Sequence, residues 1–339
     1  MSTELLRIED LVIHYKTREG FIRAVEDVSF RMEDGENLGL VGESGCGKTT
    51  VAKAIMKILP PNGEIVSGRI FFHGRDIVPM DAKQMRFLRW REIAMITQSA
   101  MNSLDPVHRV GDQILEAIKA HRRISTREAK MRVLELFDIV GLDIHRINDY
   151  PHQFSGGMKQ RVIIAMALAL EPALIIADEP TTALDVLVQD RILMQLKELQ
   201  RKLNMAMIVI THDISVVAET CSRVAIMYAG KILEYGNLID VFKKPYNPYT
   251  LALLNAFPSV VGKKRELISI GGFPPDLLRP PTGCRFWERC PFSTQRCEHE
   301  SPSMLKVACD HFTACLEVAH IDQMRSLATR PEIWTAKHF

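Results

Sequence analysis

A glycine-rich segment near the N-terminus constrains this chain more than any other feature. Residues 42–49 read Gly-Glu-Ser-Gly-Cys-Gly-Lys-Thr and fit the pattern G-x-x-x-x-G-K-[ST] in full. The apolar strand sequence Asn37–Val41 precedes the segment. A predicted helix over Thr49–Leu59 follows it and is stopped by Pro60 and Pro61. A strand, a glycine-rich loop and a helix in this order predict a phosphate-binding loop in an α/β fold.

The residues of this loop have separate predicted roles around a nucleoside triphosphate. Lys48 is expected to reach the β- and γ-phosphates, and the hydroxyl of Thr49 to ligate Mg²⁺. Backbone N–H groups and the partial positive charge of the helix start favour the phosphate oxygens. The predicted nucleotide-binding residues of this segment are Gly42, Ser44, Gly45, Cys46, Gly47, Lys48, Thr49 and Thr50.

Composition and charge exclude several other classes of protein. The 339 residues include 43 Lys and Arg against 41 Asp and Glu, so we expect no nucleic-acid partner recruited by bulk charge. The apolar run Val162–Leu170 is far shorter than the roughly twenty residues of a membrane-spanning helix. The acidic N-terminus has no long apolar stretch, so we expect neither a secretory signal nor a chain that crosses a bilayer.

A second apolar strand ends in two acidic residues. Leu174–Asp178 predicts a buried strand, and Glu179 follows it directly. In a chain with a phosphate-binding loop, Asp178 is placed to hold the Mg²⁺ shell directly or through water. Glu179 is placed to orient and deprotonate the attacking water. Taken alone, the acidic pair could also be a solvated turn at a strand end.

A serine and two glycines open a further predicted helix, Gly156–Leu170. Ser155, Gly156 and Gly157 expose backbone N–H groups at its start, which predicts a second anion site. Two such sites make sense if two subunits pair head to tail and each nucleotide lies between the Lys48 loop of one and the Ser155 helix start of the other. The simpler alternative is an ordinary N-cap, a position that serine favours in any case.

The order of the predicted elements indicates the fold class. Strands over Leu6–Tyr15 and Arg23–Met32 come first, and a helical block runs from about residue 99 to 170. Strands and helices then alternate from Leu174 to Tyr228. This pattern predicts a mostly parallel sheet covered by helices, with the helical block as an inserted subdomain.

The composition of the sequence changes beyond about residue 240. Repeated prolines interrupt the segment, and five of the seven cysteines lie in the last sixth of the chain. We therefore expect a main domain over residues 1–240 and a separate, loop-rich C-terminal domain over 241–339. Small domains of this kind usually need a metal or another covalent link to stay folded.

Together these motifs resemble the nucleotide-binding subunits of ATP-binding-cassette (ABC) transporters, over roughly residues 5–235 and with all motifs in order. The resemblance implies an α/β, ABC-type P-loop ATPase core with an antiparallel β subdomain and an inserted α-helical subdomain. The small Cys-rich C-terminal domain would be added to this core. It also implies that the chain binds ATP with Mg²⁺ and hydrolyses it.

Four further site residues follow from the resemblance. Gln98 matches the glutamine of the family's Q-loop and is implied as a catalytic residue and a Mg²⁺ ligand, beside Thr49 and Asp178. His212 matches the switch histidine that contacts the γ-phosphate. Asp185 ends a segment that looks like the D-loop, Thr182-Ala183-Leu184-Asp185. Tyr15 matches the adenine-stacking aromatic, although a strand tyrosine is often core packing. The implied catalytic set is Glu179, His212, Gln98 and Lys48.

Several segments narrow the resemblance to the dipeptide/oligopeptide permease branch of the family. They are Pro151–Met158, Ala177–Val186, Val224–Gly230, Asn247–Thr250 and Gly283–Pro291. Asn247 stands where that branch usually has histidine. Nickel importers share much of this pattern, so nickel or another small solute is the alternative cargo to di- and oligopeptides.

Partners and location are also implied by the resemblance. They are two integral-membrane permease subunits, a second and homologous ATPase subunit, and an extracytoplasmic solute-binding protein, with this chain bound at the cytoplasmic face of the membrane. One rival is a soluble, non-transport cassette ATPase, but the chain has a single cassette and no long heptad run. A second rival is a regulatory protein whose cysteine tail senses iron or redox state.

The cysteine tail suggests a metal site. The spacing C-x₅-C-x₆-C-x₁₁-C is formed by Cys284, Cys290, Cys297 and Cys309. Four thiolates can hold Zn²⁺ or an iron–sulfur cluster, and the tight knuckles of zinc ribbons are missing. The resemblance favours a [4Fe–4S] cluster with Cys309 as the fourth ligand, and zinc is the alternative. Cys315 lies close by in the sequence. His299 and His311 could substitute as ligands in a zinc site, although we expect both to face solvent.

Overall fold

The chain forms two compact units, and each unit is made of several separate ranges of the sequence. The computed structural model describes residues 3–98, 103–180, 185–256 and 268–335. The helical unit takes its described residues from 1–4, 33–37 and 77–210, and the loop unit takes them from 5–32, 38–76 and 211–339. Among the helices of the described ranges, none combines the length and the apolar character of a membrane-spanning segment.

The loop unit begins with an antiparallel sheet and the glycine-rich loop. Its first elements are β1 (Glu4–Lys16), β2 (Phe21–Glu33), β3 (Asn37–Val41), α1 (Lys48–Ile55), β4 (Gly63–Phe72) and β5 (Arg75–Asp76). Strands β2, β1, β4 and β5 lie side by side in that order, and β1 is antiparallel to β4. The two predicted N-terminal strands are confirmed. Helix α1 ends earlier than predicted because Lys57 adopts a left-handed backbone conformation, with φ of 49°.

The helical unit contains a parallel sheet and a group of packed helices. Its elements are α2 (Ala82–Leu88), β6 (Ile93–Ile96), α3 (Val110–His121), α4 (Thr126–Ile139), α5 (Gly156–Ala167), β7 (Leu174–Asp178), α6 (Val186–Leu203) and β8 (Ala206–Thr211). Strands β8, β7 and β6 are parallel neighbours in that order. Every residue of β7 and β8 is buried, which explains their continuous apolar sequences.

Helices α3, α4 and α5 form the predicted helical block and pack against one another. Helix α4 begins with a capping box, in which Ser125 and Glu128 satisfy each other's backbone N–H groups. The expected start of the block, residues 99–102, lies outside the described residues.

The loop unit continues after β8 with a second set of strands. Its remaining elements are α7 (Ile214–Thr220), β9 (Arg223–Tyr228), β10 (Lys231–Asn237), α8 (Leu238–Lys243), α9 (Pro248–Ala256), α10 (Gln295–His299), β11 (Leu305–Ala308), β12 (His311–Thr313), α11 (Ile321–Leu327) and α12 (Pro331–Thr335). Strand β9 is parallel to β3 and antiparallel to β10. Strand β12 is antiparallel to both β10 and β11.

The structure does not divide at residue 240, where the sequence predicts a domain boundary. Strand β12 pairs with β10, so the tail satisfies backbone groups at that sheet edge. One apolar cluster joins Val224 and Tyr249 to Phe286 and Trp334. The expected separate Cys-rich domain is not confirmed, because the described part of the tail shares the apolar core of the loop unit. Prolines show where regular structure is interrupted, but not which core a segment joins.

Candidate functional site

The loop between β3 and α1 folds around its own lysine. Lys48 is 6% exposed. Its Nζ donates hydrogen bonds to the carbonyl oxygens of Gly42 at 2.7 Å and Glu43 at 2.8 Å. Ser44 and Gly45 lie at the outer side of the loop and are exposed. The ammonium is thus held inside a ring of backbone, the arrangement expected of a phosphate-binding loop.

Two glycines of this loop are required by close approach of other backbone. A Cβ atom at Gly42 would lie 1.9 Å from the carbonyl oxygen of Met227. Gly47 has φ of 104°, and a Cβ atom there would lie 2.5 Å from the carbonyl oxygen of Ala24. Any side chain at either position would push the loop away from β9 or β2. The glycine spacing in the sequence therefore has a steric cause.

The thiol inside the loop is buried and neutral. Cys46 accepts a long hydrogen bond from Lys48 Nζ at 3.5 Å, and its carbonyl accepts one from the N–H of Gly230 at 3.0 Å. Burial raises the pKa of Cys46, and the nearby charge of Lys48 only partly offsets this. The Cys46 side chain therefore fills space in the loop and is not an activated nucleophile.

Tyr15 lies beside the helix that follows the loop. Its phenol oxygen donates a hydrogen bond to Oγ1 of Thr50 at 3.2 Å. A side chain at Gly63 would collide with the Tyr15 ring. The structure therefore brings two predicted binding residues, Tyr15 and Thr50, together near the start of α1.

In the helical unit, the acidic end of β7 meets the predicted Q-loop glutamine. Asp178 is the last residue of β7 and is 2% exposed. Glu179 follows with φ of 48°, and its N–H donates to the carbonyl oxygen of Ile210 at 2.9 Å. Nε2 of Gln98 donates a hydrogen bond to Oε2 of Glu179 at 2.7 Å. Two of the four predicted catalytic residues, Gln98 and Glu179, are thus in direct contact.

The predicted second anion site lies at the exposed start of α5. Ser155 is its N-cap, and the serine Oγ accepts a hydrogen bond from the N–H of Met158 at 3.4 Å. Ser155 and Gly156 are both exposed. A Cβ atom at Gly157 would lie 2.7 Å from a methyl group of Val188, so the absence of a side chain lets α6 approach α5. The N-cap interpretation is confirmed, and the anion-binding role stays a prediction.

Asp185 and His212 also lie at the starts of helices. Asp185 caps α6 by accepting a hydrogen bond from the N–H of Val188 at 2.9 Å. The other residues of the D-loop-like segment, 182–184, lie outside the described residues. His212 is an exposed residue of the loop unit between β8 and α7, and Asp213 caps α7. The structure gives both residues a defined place in the fold, and their proposed contacts with nucleotide stay predictions.

Four buried or half-buried thiols line one small cavity in the loop unit. They are Cys284, Cys290, Cys297 and Cys315. Burial raises the pKa of Cys284 to about 11 and that of Cys315 to about 12, and it also raises the pKa of Cys290. The cavity measures about 20 Å³, so a bound group larger than one water molecule would require the surrounding side chains to move.

The fourth thiol of this cavity differs from the one expected from the sequence. Cys309 is exposed at the turn between β11 and β12, next to Asp310 with φ of 54°. The structure therefore places Cys315, rather than Cys309, with Cys284, Cys290 and Cys297. Recognising Leu305–Thr313 as a hairpin would have placed Cys309 at its exposed tip.

A single metal ion is not accommodated by the side-chain positions that the structure describes. Among the described residues, no group of three or more His, Cys, Asp or Glu side chains is close enough to hold one ion. Iron–sulfur clusters are held by Cys thiolates, and four cysteines around one cavity match that kind of ligand set. The chemistry of the donors fits such a group, although the described positions would have to open around it.

The expectation that His311 faces solvent is wrong. The residue is 1% exposed, and its Nε2 lies 2.7 Å from Oε1 of Glu234 on β10. The same carboxylate accepts hydrogen bonds from the N–H groups of Tyr246 and Asn247. His311 is buried because β12 pairs with β10, a long-range contact that the local sequence does not show. His299 is exposed, as expected.

Comparison with known proteins agrees with this fold and these motifs. The model of the ABC transporter family matches residues 25–182, and that of the oligopeptide/dipeptide transporter C-terminal region matches residues 233–297. The oligopeptide transport ATP-binding protein OppD of Bacillus subtilis is 46% identical over 314 residues, 91% of this chain and 88% of the relative. The dipeptide transport ATP-binding protein DppD of the same organism is 44% identical, over 92% of this chain and 94% of the relative.

Solved structures show the same architecture. A dimeric ATP-binding cassette in a post-hydrolysis state, bound to ADP and Pi, aligns with a TM-score of 0.62 and 28% identity, over 69% of this chain and 99% of that chain. The fold and the motifs define an ABC-type ATPase. Within that class, the chain belongs to the family of oligopeptide and dipeptide transport ATP-binding proteins.

Proposed function

We propose that this chain is the ATP-hydrolysing subunit of a membrane importer for di- and oligopeptides. The loop closed around Lys48 is the observation that carries the ATPase part of the proposal. The cargo is supported by the family of the C-terminal region and by relatives named for oligopeptide and dipeptide transport. Nickel or another small solute is the alternative cargo.

In this proposal, the loop unit binds the phosphates and the adenine of the nucleotide. Lys48 and the backbone N–H groups of residues 42–49 bind the β- and γ-phosphates, and Tyr15 stacks on the adenine. Thr49, Asp178 and Gln98 are the proposed Mg²⁺ ligands, a set of oxygen donors that suits this hard cation. Mg²⁺ held by these residues would neutralise charge on the β- and γ-phosphate oxygens.

The helical unit supplies the base for hydrolysis. Glu179 accepts the proton of the attacking water on its carboxylate. Gln98 orients that carboxylate through the 2.7 Å hydrogen bond from its Nε2. His212 contributes a contact to the γ-phosphate. Such a reaction depends mainly on positioning and charge stabilisation, and a positioned base contributes about 10²–10⁴-fold.

The Glu179→Gln variant tests this assignment because it keeps the shape of the side chain and removes the base. We expect the ATP dissociation constant of the full chain to stay within about twofold. Turnover of the assembled transporter should fall by about 100-fold or more, and ATP should trap the ATPase dimer on size exclusion. Glu198→Gln, at an exposed position of α6, is the matched control. Hydrolysis at the wild-type rate in Glu179→Gln would contradict the role of Glu179.

A second ATPase subunit completes each nucleotide site in this proposal. The N–H groups of Ser155, Gly156 and Gly157 would bind the γ-phosphate held by the loop of the other subunit, at a helix start where Ser155 and Gly156 are exposed. Asp185, at the start of α6, lies in the same region of the helical unit. Support comes from the similarity to a dimeric cassette and from the exposure of this helix start.

The remaining partners follow from the family. We propose two integral-membrane permease subunits and an extracytoplasmic solute-binding protein, with this chain bound peripherally at the cytoplasmic face of the membrane. Closure of the ATPase pair would act on the permeases through the surface near Gln98 and the helical block after it.

The cargo can be tested in the complete transporter, reconstituted in proteoliposomes with its binding protein. Dipeptides, longer peptides and Ni²⁺ are added separately on the binding-protein side. Stimulation of ATP hydrolysis together with uptake of labelled peptide supports the proposal. Stimulation by Ni²⁺ alone would replace peptide with nickel and leave the ATPase assignment intact.

We also propose that the four thiols of the cavity hold a [4Fe–4S] cluster, with Cys315 as the fourth ligand. The support is the number of thiols, their burial around one cavity and the family of the surrounding segment. The role is structural: a metal group bound by loops stabilises the fold of a segment with little regular structure. Zinc is the alternative, although the described thiol positions do not form a single-ion site.

Protein purified without oxygen tests this proposal through its visible absorption and its iron, sulfide and zinc content. About four irons per chain support the cluster. Cys315→Ser should lower the iron content, and Cys309→Ser, at the exposed turn, is the control that should not. The reverse result would restore Cys309 as the fourth ligand. One zinc without iron would replace the cluster, and neither metal in folded protein would mean that packing alone holds the tail.

A further inference from the structure

The phosphate-binding loop is contacted by residues far along the chain. Glu43, the second residue of the loop, uses its carboxylate and its backbone N–H in these contacts. Its Oε2 accepts a hydrogen bond from Nη1 of Arg289 at 2.8 Å, and its N–H donates to the phenol oxygen of Tyr249 at 3.2 Å. The Glu43 carbonyl also accepts the bond from Lys48. Arg289, the residue before the proposed metal ligand Cys290, is therefore connected to Lys48 through a single intervening residue, Glu43.

The Arg289 side chain is fixed on its other sides as well. Its Nη1 also donates to the phenol oxygen of Tyr228 at 3.1 Å, and its Nε donates to the carbonyl oxygen of Gly271 at 2.9 Å. Its guanidinium lies 5.6 Å from the centre of the Tyr228 ring. The side chain is only 7% exposed. Because several acceptors hold the planar guanidinium, it is a rigid bridge and not a mobile surface charge.

The charge of Glu43 explains why this bridge matters to the site. A carboxylate in a loop that binds phosphate repels the ligand, and the repulsion is stronger where water is partly excluded. Arg289 neutralises that carboxylate and holds it at one end of the loop. An arginine guanidinium stays charged in proteins, so the hydrogen bond from Arg289 to the Glu43 carboxylate joins two opposite charges.

A second arginine in the same short segment has a different target. Arg285 donates to the carbonyl oxygen of Ala229 at 2.9 Å and pairs with Glu26 on β2. Both contacts join the cysteine-bearing segment to strands of the loop unit and neither reaches the phosphate-binding loop. Arg285 therefore attaches the segment to strands of the loop unit, whereas Arg289 contacts the proposed nucleotide site.

We propose that Arg289 is a positioning residue for ATP: it neutralises and orients Glu43, so the cysteine-bearing segment forms part of the nucleotide site. This inference rests on the proposed role of the loop in binding ATP. It predicts that loss of Arg289 weakens nucleotide binding more than it slows the chemical step, because Arg289 acts on the loop and not on the attacking water.

A double-mutant cycle on Arg289 and Glu43 tests the proposal. The ATP dissociation constant is measured on the full chain, and KM and kcat are measured on the assembled transporter. Arg289→Ala should raise the dissociation constant and KM by about tenfold, the size expected for one lost charged hydrogen bond, and change kcat by less than about twofold. In a Glu43→Gln background the same change should cost less than about threefold, because the uncompensated carboxylate is gone.

Two further variants keep the result interpretable. Arg289→Lys retains the charge without the planar fork and should give an intermediate rise in KM even if Arg289→Ala folds poorly. Arg296→Ala is the matched control, since Arg296 lies on the same segment, pairs with Glu300 and is 58% exposed. The proposal is overturned if wild-type protein binds ATP and both Arg289 variants bind it within twofold. It is also overturned if KM rises equally in both backgrounds, since the effect then arises from lost packing. Failure of wild-type protein to bind ATP would instead reject the role of the loop.

Discussion

The two helix starts that are predicted to bind phosphate differ in how much of the chain surrounds them. At the start of α1, Lys48 is buried among loop carbonyls, and Arg289 and Tyr249 hold the loop from outside. At the start of α5, Ser155 and Gly156 are exposed. An enclosed loop is preorganised to bind nucleotide with residues of this chain alone, whereas an exposed helix start offers its N–H groups to a ligand carried by another molecule.

The largest expected effect comes from removing the lysine of the enclosed loop. Lys48→Ala leaves the carbonyl oxygens of Gly42 and Glu43 without their donor and removes the positive charge that faces the phosphates. We expect turnover to fall by about 100-fold or more and ATP binding to weaken severely, because a phosphoryl-transfer site works mainly by positioning and charge. Lys53→Ala, in the last turn of α1, is the control. Turnover within a few-fold of wild type in Lys48→Ala would remove the loop from the active site.

The exposed helix start should behave in the opposite way. Ser155→Arg blocks the N–H groups of α5, so we expect ATP binding by the full chain to change by less than about twofold. ATP hydrolysis by the assembled transporter should fall by at least about tenfold. Ser125→Arg is the control because it removes a comparable N-cap from α4 in the same unit. Loss of an N-cap lowers the free energy of unfolding by about 1 kcal/mol. A larger effect of Ser155→Arg on hydrolysis therefore reports a lost functional surface. Weaker ATP binding by the isolated Ser155→Arg chain would show that this helix start acts within its own chain.

The reactivity of the Cys46 thiol tests how well the phosphate-binding loop is buried, and it carries the smallest expected effect. Burial raises the pKa of Cys46, so less of the thiol is ionised at neutral pH and alkylation is slow. We expect the exposed Cys309 to react with iodoacetamide at least about tenfold faster, as measured by mass spectrometry of the intact fold. Below its pKa, the Cys46 rate should rise about tenfold per pH unit. Fast labelling of Cys46 at neutral pH would mean that the loop opens readily.

Local patterns were sufficient wherever function depends on residues that are close in sequence. The phosphate-binding loop, the strand β7 with Asp178 and Glu179, and the helix starting after Ser155 are each encoded within about ten residues. Within such a window, glycine positions and apolar periodicity reflect backbone requirements directly. The closeness of Gln98 and Glu179 was expected only through the family resemblance, and the structure shows their hydrogen bond.

The errors about the cysteine site and His311 lie after residue 240, where long-range pairing decides the outcome. Cys309 and Cys315 are similar candidates in the sequence, but the hairpin of β11 and β12 exposes the first and turns the second towards the other thiols. His311 is buried because its strand pairs with β10 and brings it to Glu234. Prolines in a sequence restrict the local backbone, but they do not show which distant strands or side chains the segment contacts.

By itself, the sequence determined the phosphate-binding loop and the acidic strand end, because these depend on short-range sterics and periodicity. The class of the protein followed from the resemblance of its motifs to a known family. Only the tertiary structure decided that the described tail belongs to the loop unit, that Cys315 joins the other thiols and that Arg289 reaches Glu43. The last pair is separated by 246 positions in the chain. Contacts over such distances arise from the packing of whole elements, and no local pattern specifies them.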